Sequence, residues 1–190
     1  MTAKNNISFG RKTVYTVNPQ LPPVLLHELT KQVKELPYHR SLIRGPGSGE
    51  KDGMRTSNQS WLCWDTWIAG IMHNIFLSAN NDYFKYDLDH FDSGIQATRY
   101  EVGQKYEWHI DDVGIVEGKQ RKLSMSLVLE SEFKGGELEI FDAAKHTTLS
   151  FDIKPGNIVI FPSWISHRVQ PVTSGTRYSL VAWMNGPEFK

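Results

Sequence analysis

The sequence predicts a mainly β domain with helices at its N-terminal end, an α+β arrangement that closes as a sandwich or barrel of about eight antiparallel strands. Three observations predict it. Up to residue 93 apolar residues recur at helical spacing, whereas beyond Gly94 they fall into short β-rich runs separated by turn residues. The chain has 190 residues, 39% hydrophobic and 12% aromatic, which is enough for one packed core and too apolar for disorder. Residues 1–190 therefore read as a single domain, with helical and loop support over about 1–93 and the β core over 94–186.

The first helix is set by prolines. Pro22-Pro23 precede a segment whose apolar residues at 25, 26, 29, 33 and 36 keep helical spacing, and Pro37 closes it. The glycine-rich stretch 45–53 invites a phosphate-loop reading. Glu50, however, separates Gly49 from Lys51, and Asp52 stands where a hydroxyl residue is needed, so it reads as a mobile surface loop. Residues 64–80 form the second predicted helix, with Trp64, Trp67, Ile68, Ile71, Ile75 and Phe76 as its core-facing stripe. Strands are predicted over 95–101, 123–130, 137–141, 147–153, 157–161, 167–172 and 177–184. Gly103, Gly135-Gly136, Pro155-Gly156 and Ser174-Gly175 mark the turns, and no internal repeat is found.

Charge and cysteine content narrow the function classes. Lys plus Arg and Asp plus Glu number 21 each, so the chain lacks the basic excess of a protein that holds nucleic acid by its phosphates. The one cysteine, Cys63, permits no internal disulfide and reads as a small buried hydrophobe. The stretch Met1 to Gly10 is polar, and no run approaches the ~18 apolar residues of a membrane span. The expectation is a cytoplasmic protein without a membrane partner.

The chemistry centres on Trp108-His109-Ile110-Asp111. On an extended segment residues two apart share a face, which sets the His109 imidazole beside the Asp111 carboxylate. His167 follows a predicted buried strand at its rim and offers a third ligand. Two histidines and one carboxylate leave three positions of an octahedral iron open. A zinc hydrolase could use the same donors, but would need a general base besides and would leave fewer positions free. Arg177 opens the run Arg-Tyr-Ser-Leu-Val-Ala-Trp, and a guanidinium among inward apolar neighbours needs an anion. A dicarboxylate fits its planar fork, with Ser179 on the same face as a further donor; a protein carboxylate is the competing partner.

With these residues in hand, the chain resembles the prolyl 4-hydroxylase-like branch of the iron(II)/2-oxoglutarate dioxygenases. Tyr100-Glu-Val-Gly103-Gln-Lys-Tyr106-Glu-Trp-His109-Ile-Asp111 is similar to the Tyr-x-x-Gly-x-x-Tyr-x-x-His-x-Asp pattern of that family. Arg55-Thr56-Ser57 upstream, then Arg121-Lys-Leu-Ser, Gly135-Gly136-Glu137-Leu138, Lys154-Pro155-Gly156-Asn157 and His167 follow in family order. The resemblance implies a double-stranded β-helix (jelly roll) with helices packed on one sheet. It implies iron(II) on His109, Asp111 and His167, with 2-oxoglutarate and O2 as cosubstrates and ascorbate as an accessory reductant. Tyr100 would line the cosubstrate pocket beside Arg177 and Ser179, and Arg55 would lie near the substrate entrance. Trp108, Trp164 and Trp183 are candidate walls of that pocket, with Trp108 and Trp183 toward the substrate and core packing as the competing role of each. Where collagen-type enzymes carry a lysine, this chain has Arg177, as in bacterial PKHD-type and oxygen-sensing prolyl hydroxylases. The implied reaction is hydroxylation of a prolyl residue in a peptide or protein, yielding succinate and CO2. A free amino acid or small metabolite as substrate, nucleic-acid demethylation, and a metal-binding jelly roll without catalysis are the alternatives.

Overall fold

Side-chain alternation in the C-terminal half builds both faces of one large sheet, as a computed structural model describing residues 14–17, 21–41, 53–92, 94–130, 132–151 and 154–189 shows. That sheet has seven strands. In spatial order they are β1 (Tyr15–Val17), β10 (Ile158–Pro162), β6 (Lys119–Val128), β13 (Arg177–Pro187), β4 (Ile95–Tyr100), β3 (Asn58–Leu62) and β2 (His39–Arg40). A second sheet runs β5 (Tyr106–His109), β11 (His167–Val169), β8 (Leu138–Asp142) and β9 (Thr147–Phe151). A ribbon joins β12 (Val172–Gly175) to β7 (Phe133–Gly135), and every pairing is antiparallel.

Two cores divide along the strand alternation. Leu123, Met125 and Leu127 of β6, Ile158 and Ile160 of β10, Leu180, Ala182 and Met184 of β13, and Ile95 and Ala97 of β4 pack with the helices. The alternate residues Val159, Phe161 and Tyr100 join Leu138, Ile140 and Val169 of the second sheet in a core between the sheets. Because successive residues point to opposite faces, each central strand is buried twice. On the inner face of β4, β6 and β13, polar side chains are enclosed: Gln96, Thr98, Ser124, Ser126, Arg177 and Ser179. An enclosed polar lining of this kind marks the site.

The helices cover the outer face. α1 (Pro23–Lys34) starts on a proline in its first turn, whose missing N–H is no loss there, and ends with Lys31 and Lys34 near the negative end of its dipole. It buries Leu29 and Val33, and Thr30 Oγ1 donates to the carbonyl of Leu26 and of Leu129. α2 (Trp67–Ala79) buries Ile68, Ala69, Met72, Ile75, Phe76 and Ala79, then passes into a π-helical turn over Asn80–Phe84. Asn80 closes that turn by hydrogen-bonding both the N–H and the carbonyl of Tyr86. Among the described residues no helix is long and apolar enough to cross a membrane.

Several sequence expectations need correction. The N-terminal half is not only helix and loop, since β1, β2 and β3 extend the large sheet at both edges. These strands are short or polar, and pairing holds them: β3 reads Asn-Gln-Ser-Trp-Leu and is registered on β4. The aromatic end of the second stripe stays outside the core, with Trp64 72% exposed in the turn before α2 and Trp67 40% exposed. Cys63, expected buried, is exposed. The run 167–172 is two strands: Gln170-Pro171 separates β11 from β12, because proline lacks a ladder donor. Residues 45–52 of the glycine-rich segment lie outside the described residues.

Candidate active site

β5 and β11 pair so that His109 and His167 are cross-strand partners, with ring centroids 4.1 Å apart. Opposite residues of an antiparallel pair project from the same face, so two histidines distant in sequence meet at one point. The strand stops at His109, and Asp111 sits in a bend beyond it. Its place is fixed instead by Ser163, whose carbonyl accepts from the N–H of Asp111 at 2.9 Å and of Asp112 at 3.0 Å. Extended geometry predicted the juxtaposition; a loop anchored on its neighbour achieves it. Asp111 Oδ1 lies 3.6 Å from His109 Nε2, and Oδ2 lies 3.4 Å from His167 Nε2. One donor atom from each of the three residues falls within 4.8 Å of the others.

Both rings are oriented for ligation. His109 Nδ1–H donates to the carbonyl of Glu107 at 2.7 Å, and His167 Nδ1–H to that of Ile165 at 2.9 Å. Each bond fixes the tautomer that turns a bare Nε2 toward Asp111 when the ring is neutral. Tyr106 stacks on His109 at 3.5 Å and 12°, and the Arg55 guanidinium lies over the Tyr106 ring at 4.8 Å from its centroid. Burial pushes the Tyr106 phenol up to about 12, so it stays neutral. Burial also lowers His109, against the opposing hydrogen bond of Asp111. For Asp111 burial works upward, but the charge of His167 and the hydrogen bonds of both imidazoles outweigh it and hold the carboxyl well below its ordinary value. For His167 the order reverses: burial works downward and the Asp111 carboxylate raises it overall.

Arg177 opens β13 directly opposite Tyr100 of β4, 2% exposed, with its guanidinium 5.5 Å from the Tyr100 ring centroid. Nη1 donates to Ser179 Oγ at 2.7 Å. No carboxylate of the described residues lies within ion-pair reach of it, so the competing reading of a protein counter-ion finds no support there. Burial lowers its basicity, partly offset by Tyr100 and Glu137. Its stem passes over Gly136, where a Cβ would lie 2.9 Å from Arg177 Cδ and where φ is +69°.

One cavity of about 360 Å³ joins these groups, lined by His109, Asp111, His167, Arg177, Ser179 and Tyr100. Arg55 and Trp183 line it as well, and Arg55 donates to Ser57 and Gln96. Trp108 does not: next to His109 on β5, it faces the other way, against Phe141, with Arg168 over its ring at 4.8 Å. Trp164 packs on Tyr86 and Phe189 instead. Sequence reasoning gave no site role to Ser124, Ser163, Gln96 or Arg121, although Arg121 and Ser124 stand in the segment quoted for its family order. The first two hydrogen-bond around Asp111, and the Arg121 guanidinium lies 4.2 Å from the Trp183 ring centroid. For Ser124 and Gln96 the sequence signal is a polar residue at alternate positions of an otherwise apolar strand, as in Leu123-Ser-Met-Ser-Leu; Ser163, in the turn after β10, and Arg121, in a polar stretch, lack that signal.

Comparison with known proteins agrees with this geometry. Residues 95–185 match the family model of the 2OG-Fe(II) oxygenase superfamily. A PKHD-type hydroxylase of Idiomarina loihiensis is 37% identical over 92 residues, 47% of this chain and 41% of that protein. A PKHD-type hydroxylase of Hyphomonas neptunium is 41% identical over 87 residues, 43% of this chain and 38% of that protein. The chain thus spans about two fifths of the length of the curated relatives it matches. The crystal structure of a Pseudomonas putida prolyl-4-hydroxylase superposes with a TM-score of 0.76 at 19% identity, covering 94% of this chain and 95% of that one. A Trichoplax adhaerens prolyl hydroxylase in complex with a hypoxia inducible factor oxygen degradation domain peptide fragment gives 0.76 at 16% identity, covering 92% and 84%. These two structures share the fold, which is the jelly roll the strand order describes. Over residues 95–185 the chain thus matches the 2OG-Fe(II) oxygenase superfamily, and within that span it is similar to PKHD-type hydroxylases.

Proposed function

We propose that this site binds iron(II) through His109, Asp111 and His167 and 2-oxoglutarate through Arg177, and that it hydroxylates a prolyl residue of a peptide or protein. The observation that carries the reading is Arg177. A guanidinium this buried, in one cavity with three convergent ligand atoms and with no carboxylate of the described residues paired to it, calls for an anionic ligand. The donor set fits iron(II): two imidazole nitrogens and one carboxylate on one side leave the opposite positions free. When bound, iron and 2-oxoglutarate supply the oxidation, in which O2 is split between succinate, released with CO2, and a C–H bond of the substrate.

The chain's own residues orient and exclude. The carbonyls of Glu107 and Ile165 hold both imidazoles with Nε2 inward. Asp111 stays ionised and brings one negative charge to a dication. Arg177 fixes the distal carboxylate of the cosubstrate by charge-assisted hydrogen bonds, while Ser179, accepting from Arg177, keeps its own O–H to donate. The Tyr100 ring shields that end from water.

The mouth of the cavity supports a polypeptide substrate. Trp61 on β3, 44% exposed, and Ile110 and Val113 on the loop after β5, 51% and 66% exposed, all line the cavity. Apolar side chains left in water around a cavity of about 360 Å³ suit a substrate that inserts one residue and lays its flanks across the rim. A free amino acid would sit wholly inside and leave that rim uncovered.

The test is incubation with iron(II), 2-oxoglutarate, ascorbate and O2, offering a library of proline-containing peptides in one arm and free amino acids in the other. Succinate formation coupled to the gain of one oxygen atom by a peptide is the expected result. Oxygen gain by free amino acids alone overturns the peptide assignment, and no succinate in any arm overturns the enzymatic reading.

A further inference from the structure

Asp111 has two carboxylate oxygens, and the fold treats them differently. Oδ2 accepts from Ser124 Oγ at 2.8 Å, and Ser124 Oγ lies 3.0 Å from Ser163 Oγ. Both serines are fully buried at 0% exposure, and Asp111 is 8% exposed. The direction of the chain follows from donor inventory. An ionised carboxylate only accepts, so the single O–H of Ser124 goes to Asp111, and Ser124 must accept the O–H of Ser163. Each oxygen faces one imidazole, Oδ1 at 3.6 Å from His109 Nε2 and Oδ2 at 3.4 Å from His167 Nε2, but no hydroxyl or backbone N–H of the described residues donates to Oδ1.

The same strand grips the backbone. Arg121, three residues before Ser124 on β6, donates from Nη1 to the carbonyl of Asp111 at 3.2 Å. Asp92 in turn anchors Arg121, accepting from Nε at 2.7 Å and from Nη2. Ser163 contributes twice, through its hydroxyl to Ser124 and through its carbonyl to the N–H of Asp111 and Asp112. The carboxylate therefore has neither a free hinge nor a free rotor.

We propose that Ser124, aligned by Ser163, is a positioning residue that commits Asp111 Oδ2 to a hydrogen bond and leaves Oδ1 as the oxygen presented to a metal ion. The Ser124 hydroxyl occupies one lone pair of Oδ2, whereas both lone pairs of Oδ1 stay open, which biases ligation toward Oδ1 alone. One-oxygen ligation keeps the remaining coordination positions open, which a bidentate carboxylate would reduce. The inference rests on reading His109, Asp111 and His167 as a metal centre, and it goes beyond that reading by naming what holds the site to three donor atoms.

The experiment is titration of the full chain with Mn(II) in the absence of 2-oxoglutarate, with the absorption spectrum of the Co(II)-saturated protein as a second readout. Ser124→Ala removes one oxygen from a packed site and adds no bulk, and the thermal melt of the metal-free protein monitors folding. Mn(II) affinity is expected to fall about 10–100-fold in Ser124→Ala and by a smaller factor in Ser163→Ala, as outer partners of metal ligands generally behave. The Co(II) spectrum at saturation should change in band position or intensity, reporting altered coordination. A Ser124→Ala protein that binds Mn(II) within about twofold of the parent overturns the inference, as does weakened binding with an unchanged Co(II) spectrum. A parent chain that binds neither ion overturns the metal-centre reading and the inference with it.

Discussion

At residue scale, His109, Asp111, His167 and Arg177 differ in what fixes them. The histidines owe their positions to strand pairing, Asp111 to the Ser163 carbonyl, and Arg177 to enclosure between Tyr100, Ser179 and Gly136. Arg177 carries the most testable consequence. Hydrogen bonds to a charged group contribute ~1.5–3 kcal/mol each, so Arg177→Ala should raise the KM for 2-oxoglutarate at least ~10–100-fold. Arg177→Lys should recover part of this, since lysine keeps the charge without the fork. Steady-state kinetics in varied 2-oxoglutarate checks both, and an unchanged KM in Arg177→Ala would remove the cosubstrate role.

The two histidines also set a pH dependence. Metal ligation needs both Nε2 atoms unprotonated, and Asp111 raises His167 above its ordinary value while burial lowers His109. The proton on His167 is therefore the one that competes. Apparent metal affinity should be full above the raised value of His167 and should fall as pH drops through it. Mn(II) titrations across that range, with proton release followed calorimetrically, give the sign; affinity rising toward acid would contradict the assignment.

At element scale, alternation explains both what the sequence revealed and what it hid. Most strands of the C-terminal half were legible because each is a run of β-formers bounded by turns, and the predicted 95–101 and 177–184 begin on the first residues of β4 and β13, whereas the short β5 and β7 were not predicted. The inner-face serines were not legible as site residues. Ser124 and Ser126 look like interruptions of an apolar run until pairing shows which face is enclosed. β3 was invisible for the opposite reason: Asn-Gln-Ser-Trp-Leu has no pattern of its own and is a strand because β4 lies beside it. The Trp64 and Trp67 error came from periodicity without a boundary, since α2 begins only at Trp67. These assignments predict stabilities. Ile140→Ala, in the core between the sheets, should cost ~2–5 kcal/mol, and Trp64→Ala should stay within ~0.5 kcal/mol. Denaturant melts of the two variants decide this, and comparable losses would contradict the described core.

For the whole molecule, the helices and the site occupy opposite faces of one sheet. α1 and α2 complete the core that makes the large sheet rigid, and the second sheet closes over its polar face. Ligands that bind only the folded site then add stability by mass action, ~2.7 kcal/mol at 100 times the dissociation constant. Iron(II) and 2-oxoglutarate together should raise Tm above either alone, because one cavity holds both. The measurement that tests the central claim most directly is optical titration under strict anaerobiosis. Iron(II) followed by 2-oxoglutarate should produce a visible metal-to-cosubstrate charge-transfer band in the parent chain. The band should be absent in His109→Ala and His167→Ala, and it should require far more 2-oxoglutarate in Arg177→Ala. A parent chain with no band, or an unchanged band in His167→Ala, would contradict the account.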